Sequence, residues 1–131
     1  MARLLYVDDS AELLTLRAAT FRMAGFDVIL CTSASEGLAW LASSRVDVVV
    51  TDYEMPELDG FAFADHARAN GCRLPIVMCT GSINLPKSPS RSIDCIVRKG
   101  EVPRVLIEAV NTCLRRDAQQ AGCGVGMLHS C

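Results

Sequence analysis

Apolar residues fall along this chain in two alternating patterns. Short, largely apolar runs cover Leu4 to Val7, Phe26 to Cys31, Val46 to Thr51, Leu74 to Thr80 and Ile93 to Arg98. Runs of this length, rich in β-branched residues, predict strands buried on both faces. Between them apolar positions recur at helical spacing. The first helix is expected from about Ala11 to Ala24, with Leu14, Ala18 and Phe21 inward, Ser10 or Asp9 as its cap and Gly25 as its stop. A second opens at Ser33 or Ser35 and turns Leu38, Leu41 and Ala42 inward. A third runs from about Gly60 to Asn70, with Asp59 as cap. The last carries the clearest stripe, Val102, Val105, Leu106, Ala109, Val110, Cys113 and Leu114, with Pro103 in its first turn.

Five strands alternating with helices imply parallel βαβ units with right-handed crossovers. The predicted fold is therefore α/β, a five-stranded parallel doubly wound sheet of flavodoxin-like order 2-1-3-4-5. One crossover departs from the pattern. Residues 81–92 read Gly-Ser-Ile-Asn-Leu-Pro-Lys-Ser-Pro-Ser-Arg-Ser, near the minimum length for a crossover with its helix. Pro86 and Pro89 would break a helix interior, so the fourth helix is expected to be one turn or absent. Residues 121–131, with Gly122, Gly124 and Gly126, are expected to form a flexible tail after a single domain spanning residues 1–120.

Composition narrows the function classes. The 131 residues are 50% hydrophobic and carry a formal net charge of -2, enough apolar material for one core and no basic stripe for direct nucleic-acid binding. No apolar run reaches the ~18 residues of a membrane span, and the start lacks the regions of a signal peptide; a cytoplasmic location is expected. Seven cysteines, Cys31, Cys72, Cys79, Cys95, Cys113, Cys123 and Cys131, show no CxxC spacing and read as reduced thiols acting as small hydrophobes.

The candidate chemistry lies at strand ends. In the predicted order strands 1 and 3 are neighbours, so Asp8, Asp9 and Asp52 should converge at their carboxyl ends, where open α/β sheets bind ligands. Three carboxylates in one place repel unless a cation joins them, and oxygen ligands suit Mg²⁺. Thr80 after strand 4 and Lys99 after strand 5 should reach the same pocket. Carboxylate, metal, hydroxyl and ammonium together suit phosphoryl transfer, with Asp52 as the nucleophile.

These positions resemble the receiver domain of two-component response regulators. The acidic pair Asp8-Asp9, Asp52 in Asp-x-x-Met-Pro-x-x-Asp-Gly, Thr80 and Lys99 all stand where that family has them, over about residues 3–118. The resemblance implies that Asp52 takes a phosphoryl group from the phosphohistidine of a sensor histidine kinase or a histidine phosphotransfer protein. It implies Mg²⁺ held by Asp9, Asp52 and the Glu54 carbonyl, with Asp8 acting through water, and help from the Glu54 and Gly81 backbone N–H groups. Enzymatic action would be limited to autophosphorylation and autodephosphorylation of Asp52. A downstream protein would read the state, and the face made by the fourth helix, strand 5 and the last helix, atypical here, would serve it or a homodimer.

Two positions differ from the family. Ile96 stands at the switch position, where an aromatic rotamer usually couples to the threonine, and isoleucine has neither ring nor hydroxyl. Gly100 replaces the usual proline after the lysine, so a trans bond is expected. The alternative reading is a receiver that binds proteins independently of phosphorylation. A phosphohydrolase of the haloacid-dehalogenase type would need Asp-x-Asp after strand 1, which Asp8-Asp9-Ser10 does not supply, and a flavodoxin would need a Ser/Thr-rich phosphate loop there.

Overall fold

A computed structural model describes residues 1–82, 85 and 91–122, with side chains as far as residue 119. The elements are β1 (Arg3–Val7), α1 (Ala11–Met23), β2 (Asp27–Cys31), α2 (Ala34–Ser43), β3 (Val48–Thr51), α3 (Gly60–Ala69), β4 (Ile76–Thr80), β5 (Cys95–Arg98) and α4 (Pro103–Gly122). All strands are parallel and the order is β2-β1-β3-β4-β5, the order expected from the alternation. No helix among the described residues is long and apolar enough to cross a membrane. The helix expected to be short in the β4–β5 crossover falls on residues 83, 84 and 86–90, outside the described residues, as does the tail from residue 123; α4 itself continues through Ala121 and Gly122.

Strand alternation divides the core into two layers. Leu4, Tyr6, Val48, Val50, Val77, Cys79 and Val97 pack with Leu14, Ala18 and Phe21 of α1 and Leu106, Val110 and Cys113 of α4. Leu5, Val7, Val49 and Ile76 point the other way, against Ala34 of α2 and Phe63, Ala64 and Ala67 of α3. The five cysteines from Cys31 to Cys113 are free, and Cys31, Cys79 and Cys113 are buried as small hydrophobes. Burial first, then Glu36, lifts the Cys31 thiol to about 12, which keeps it an unreactive neutral thiol.

Several local expectations are corrected. Neither Asp9 nor Ser10 caps α1 through its side chain; Ser10 is the cap residue by position, and its N–H donates to Asp8 Oδ1 at 2.9 Å. Asp8 therefore orders the turn into the helix from inside the site. Ser33 caps α2 by accepting from the Glu36 N–H, and Glu36 Oε1 accepts in return from the Thr32 N–H at 2.9 Å, a reciprocal cap. The inward residues of α2 are Ala34 and Gly37, with Leu38 and Leu41 half-buried, while Ala42 is exposed. Val102 is 58% exposed and precedes α4, so the buried stripe of that helix begins at Val105. Strands β3, β4 and β5 each begin two residues later than the apolar runs, because pairing starts only where neighbouring strands overlap.

Candidate functional site

Register brings the acidic residues together. Val7 pairs with Thr51 across β1 and β3, and the Asp52 N–H donates to the Val7 carbonyl at 2.9 Å. Asp8 and Asp52 therefore leave adjacent strands at the same level. One carboxylate oxygen each from Asp8, Asp9 and Asp52 lie within 4.8 Å of one another. Asp8 is fully buried, Asp52 is 6% exposed, and Asp9 is exposed.

Lys99 closes the site from the far strands. Thr80 pairs with Arg98, and the Lys99 N–H donates to the Thr80 carbonyl at 2.9 Å. The lysine Nζ stands 3.1 Å from Asp8 Oδ2 and 3.2 Å from Asp52 Oδ2. One ammonium thus bridges two buried carboxylates, and Asp9 adds further negative charge. Burial first and Asp8 second hold the Asp52 carboxyl above the usual carboxylate range, against the opposing pull of Lys99 and the Tyr53 N–H. For Lys99, burial pulls the ammonium down, but Asp8 and then Asp52 outweigh it and raise it.

The remaining predicted residues are also at this end of the sheet. Thr80 is buried, and its Oγ1 accepts from the Ser82 N–H at 3.0 Å. Gly81 follows and lies against the Lys99 stem; a Cβ there would meet Lys99 Cδ at 3.9 Å. Glu54 is exposed and lines an open cleft with Asp9, Asp52, Tyr53, Met55, Pro56 and Asp59. Ile96 is different: its side chain is on the outer face of β5, 39% exposed. All described peptide bonds are trans, Lys99–Gly100 among them. His66 is exposed on α3, among the last turn's basic residues.

The donor set fits a hard divalent cation. It is built of carboxylate oxygens, the buried carboxylates of Asp8 and Asp52 share the one ammonium of Lys99, and exposed Asp9 keeps one side open to water. These are features of a Mg²⁺ site that retains several waters. Three carboxylates within 4.8 Å of one another against one ammonium leave negative charge for a cation to balance.

Two contributors were not evident in the sequence. Gly60 was expected as the start of α3 and as the last residue of the Asp-x-x-Met-Pro-x-x-Asp-Gly motif, without a physical reason for a glycine there. In the structure a Cβ at Gly60 would collide with the Asp52 carbonyl oxygen and approach Met78 Cε to 2.6 Å. The Gly60 N–H also donates to the Tyr53 carbonyl at 2.7 Å, so α3 begins directly on the backbone that carries Asp52. Asp59 caps it, accepting from the Ala62 N–H at 2.8 Å. The second is Arg17, whose Nη2 donates to the Lys99 carbonyl at 3.1 Å. Its only signal was a cation placed on the inward stripe of α1, beside Leu14 and Ala18.

Comparison with known proteins agrees with this geometry. The C4-dicarboxylate transport transcriptional regulatory protein DctD of Rhizobium meliloti is 28% identical over 139 residues, covering 93% of this chain and 30% of DctD. The response regulator SaeR of Staphylococcus aureus is 27% identical over 88% of this chain and 52% of its own length. The chain thus spans about half or less of these relatives. Among solved structures, the response regulator TrrA of Thermotoga maritima, in complex with Mg²⁺ and BeF, superposes with a TM-score of 0.81 at 25% identity over 86% of this chain and 99% of that one. The chemotaxis response regulator CheY4 of Vibrio cholerae gives 0.75 at 27% identity, over 86% and 98%. Residues 4–111 match the response regulator receiver domain as a family, and the chain belongs to that family.

Proposed function

We propose that this protein is a phosphoacceptor receiver, in which Asp52 takes a phosphoryl group from the phosphohistidine of a sensor histidine kinase or a histidine phosphotransfer protein. The observation that carries the reading is the single ammonium of Lys99, shared between buried Asp8 and Asp52 at 3.1 and 3.2 Å. In the transfer an Asp52 carboxylate oxygen bonds to phosphorus as the N–P bond of the donor breaks, and the bond's electron pair leaves with the imidazole. Three equatorial oxygens then need neutralising. Lys99, already beside the acceptor oxygen, supplies one positive charge. Thr80 accepts from Ser82 N–H and keeps its own hydroxyl proton to donate. The Glu54 and Gly81 N–H groups are assigned to the remaining phosphoryl oxygens.

Asp8, Asp9, Asp52 and the Glu54 carbonyl would hold Mg²⁺. When bound, that ion supplies the charge stabilisation that one lysine cannot give against three carboxylates. In the same reading the partners are the phosphodonor protein and a downstream protein that responds to the phosphorylated state, and the setting is the cytoplasm.

The test is incubation with acetyl phosphate, with and without Mg²⁺, followed by intact mass, with Asp52→Asn as control. The expected result is a gain of one phosphoryl group that needs both Mg²⁺ and Asp52. No gain from acetyl phosphate or from any phosphorylated histidine domain would overturn the reading.

A further inference from the structure

Arg17 has no part in the chemistry above, yet it touches the residue that does most of it. It stands on α1 between Leu14 and Ala18, both buried against the sheet, where an apolar side chain is the usual occupant. Helix side chains lean toward the helix N-terminus. In a βαβ unit that end of α1 adjoins the carboxyl ends of the strands, so Arg17 reaches up toward the site. Its Nη2 donates to the Lys99 carbonyl at 3.1 Å. Its Nε is buried with no partner among the described residues, and so is the hydroxyl of Tyr6, a residue close enough to feel the arginine's charge. For stability alone this is a poor place for a guanidinium, since an unmatched buried donor is costly.

Lys99 is the first residue beyond β5, which is an edge strand. Its N–H is held by the Thr80 carbonyl and its Nζ by the two carboxylates. The next residue, Gly100, has open space where a Cβ would be, so the turn is not fixed by packing there. The Arg17 bond secures the carbonyl on the α1 side.

We propose that Arg17 is a positioning residue that clamps the Lys99 carbonyl and so fixes where the ammonium stands between Asp8 and Asp52. The kinetic part of its test rests on the reading of Asp52 as phosphoacceptor; the structural part does not. Two variants separate the outcomes. Arg17→Met keeps most of the stem volume and removes every donor; Arg17→Lys keeps a donor.

The measurements are melting temperature, amide hydrogen exchange of the unphosphorylated protein, and the rate of phosphoryl gain from acetyl phosphate with Mg²⁺. Arg17→Met should melt no lower than the parent. Its Lys99 and Glu101 amides should exchange about three- to tenfold faster while the β1 and β3 amides stay at the parent rate, and its phosphorylation should slow by about the same factor, the size of one lost hydrogen bond. Arg17→Lys should recover part of both. Parent-like exchange and rate in Arg17→Met would overturn the proposal, as would exchange raised uniformly across the sheet, or no recovery in Arg17→Lys. Loss of fold in both variants would overturn it too, since the arginine would then be holding the fold. If the parent itself takes no phosphoryl group on Asp52, the functional reading falls and the exchange result alone decides the clamp.

Discussion

Replacing Asp52 by asparagine should make the metal-free protein more stable at neutral pH, although it removes one of the two ion pairs of Lys99. The distances show why. Lys99 Nζ at 3.2 Å from Asp52 Oδ2 gives an attraction of about 5 kcal/mol at an effective dielectric constant of ~20. Oxygens of Asp8 and Asp9 lie no farther than 4.8 Å from one of Asp52, and each repels by at least about 3.5 kcal/mol on the same scale. Asp9 is exposed, and solvent screens roughly half of its share. Attraction and repulsion then cancel to within ~1 kcal/mol, and burial of the charge at 6% exposure decides the sign. Asparagine keeps the shape and the Oδ1 that accepts from the Tyr53 N–H at 2.8 Å, and it carries no charge. A gain on the order of 1 kcal/mol, or about 3–5 °C in Tm, is expected.

The pH dependence follows from the same charges. The folded pKa of Asp52 lies above its unfolded value, so the folded state binds that proton more tightly. The parent's handicap is absent below the unfolded carboxyl range, grows as pH rises, and is complete above the folded pKa. Urea unfolding in EDTA should therefore show the two proteins equal at acid pH and separated at pH 7. Saturating Mg²⁺ should reverse their order, because the cation stabilises the parent by mass action. An Asp52→Asn protein less stable than the parent at pH 7 in EDTA would refute the argument, by showing that the pairing with Lys99 outweighs both repulsion and burial.

Three further outcomes can be checked directly. Gly60→Ala drives a methyl group into the Asp52 carbonyl and should cost about 1–3 kcal/mol in urea unfolding, with slower phosphorylation of Asp52. Asp59→Ala removes the cap on the Ala62 N–H and should cost about 1 kcal/mol, while the phosphorylation rate falls less than for Gly60→Ala. Arg68→Met deprives the carbonyls of Cys72, Leu74 and Ser92 of their donor; the Asp94 amide should exchange faster, with a loss of about 1–3 kcal/mol by chemical denaturation.

What could be read from the sequence was what period and punctuation control. Strand order followed from alternation, and the convergence of Asp8, Asp9, Asp52 and Lys99 followed from strand order, because residues at equivalent strand ends must meet. Asp59 was legible as a cap because it stands one residue before a helix whose apolar period begins at Phe61. Contacts between elements were not legible. Gly60 reads as a helix start, and only the packing of α3 on the Asp52 backbone shows that no side chain fits. Arg17 reads as a flaw in an apolar stripe until its reach to Lys99 is seen. Val102 obeys the helical period yet is exposed, because the helix begins one residue after it, and Ala42 satisfies the period of α2 while the helix turns Ala34 and Gly37 to the sheet instead.

Arg68 gives the architecture a further consequence. From the end of α3 it holds the Ser92 carbonyl at 2.9 Å and Asp94 Oδ2 at 3.1 Å, and Asp94 Oδ2 also accepts from the Ile76 N–H at the start of β4. The start of α3 bears on Asp52 through Gly60, and Tyr53 leans edge-on against Phe61. From Asp94 the chain runs up β5 to Lys99, which returns to Asp52. Asp52, α3, Arg68, β5 and Lys99 thus form a closed loop of contacts. In such a loop a displacement at Asp52 would bear on α3 through Gly60 and on β5 through Lys99, and Arg68 would tie the two responses together. Ile96, exposed on β5, stands on a member of this loop, so the strand could report on the site without an aromatic ring to swing.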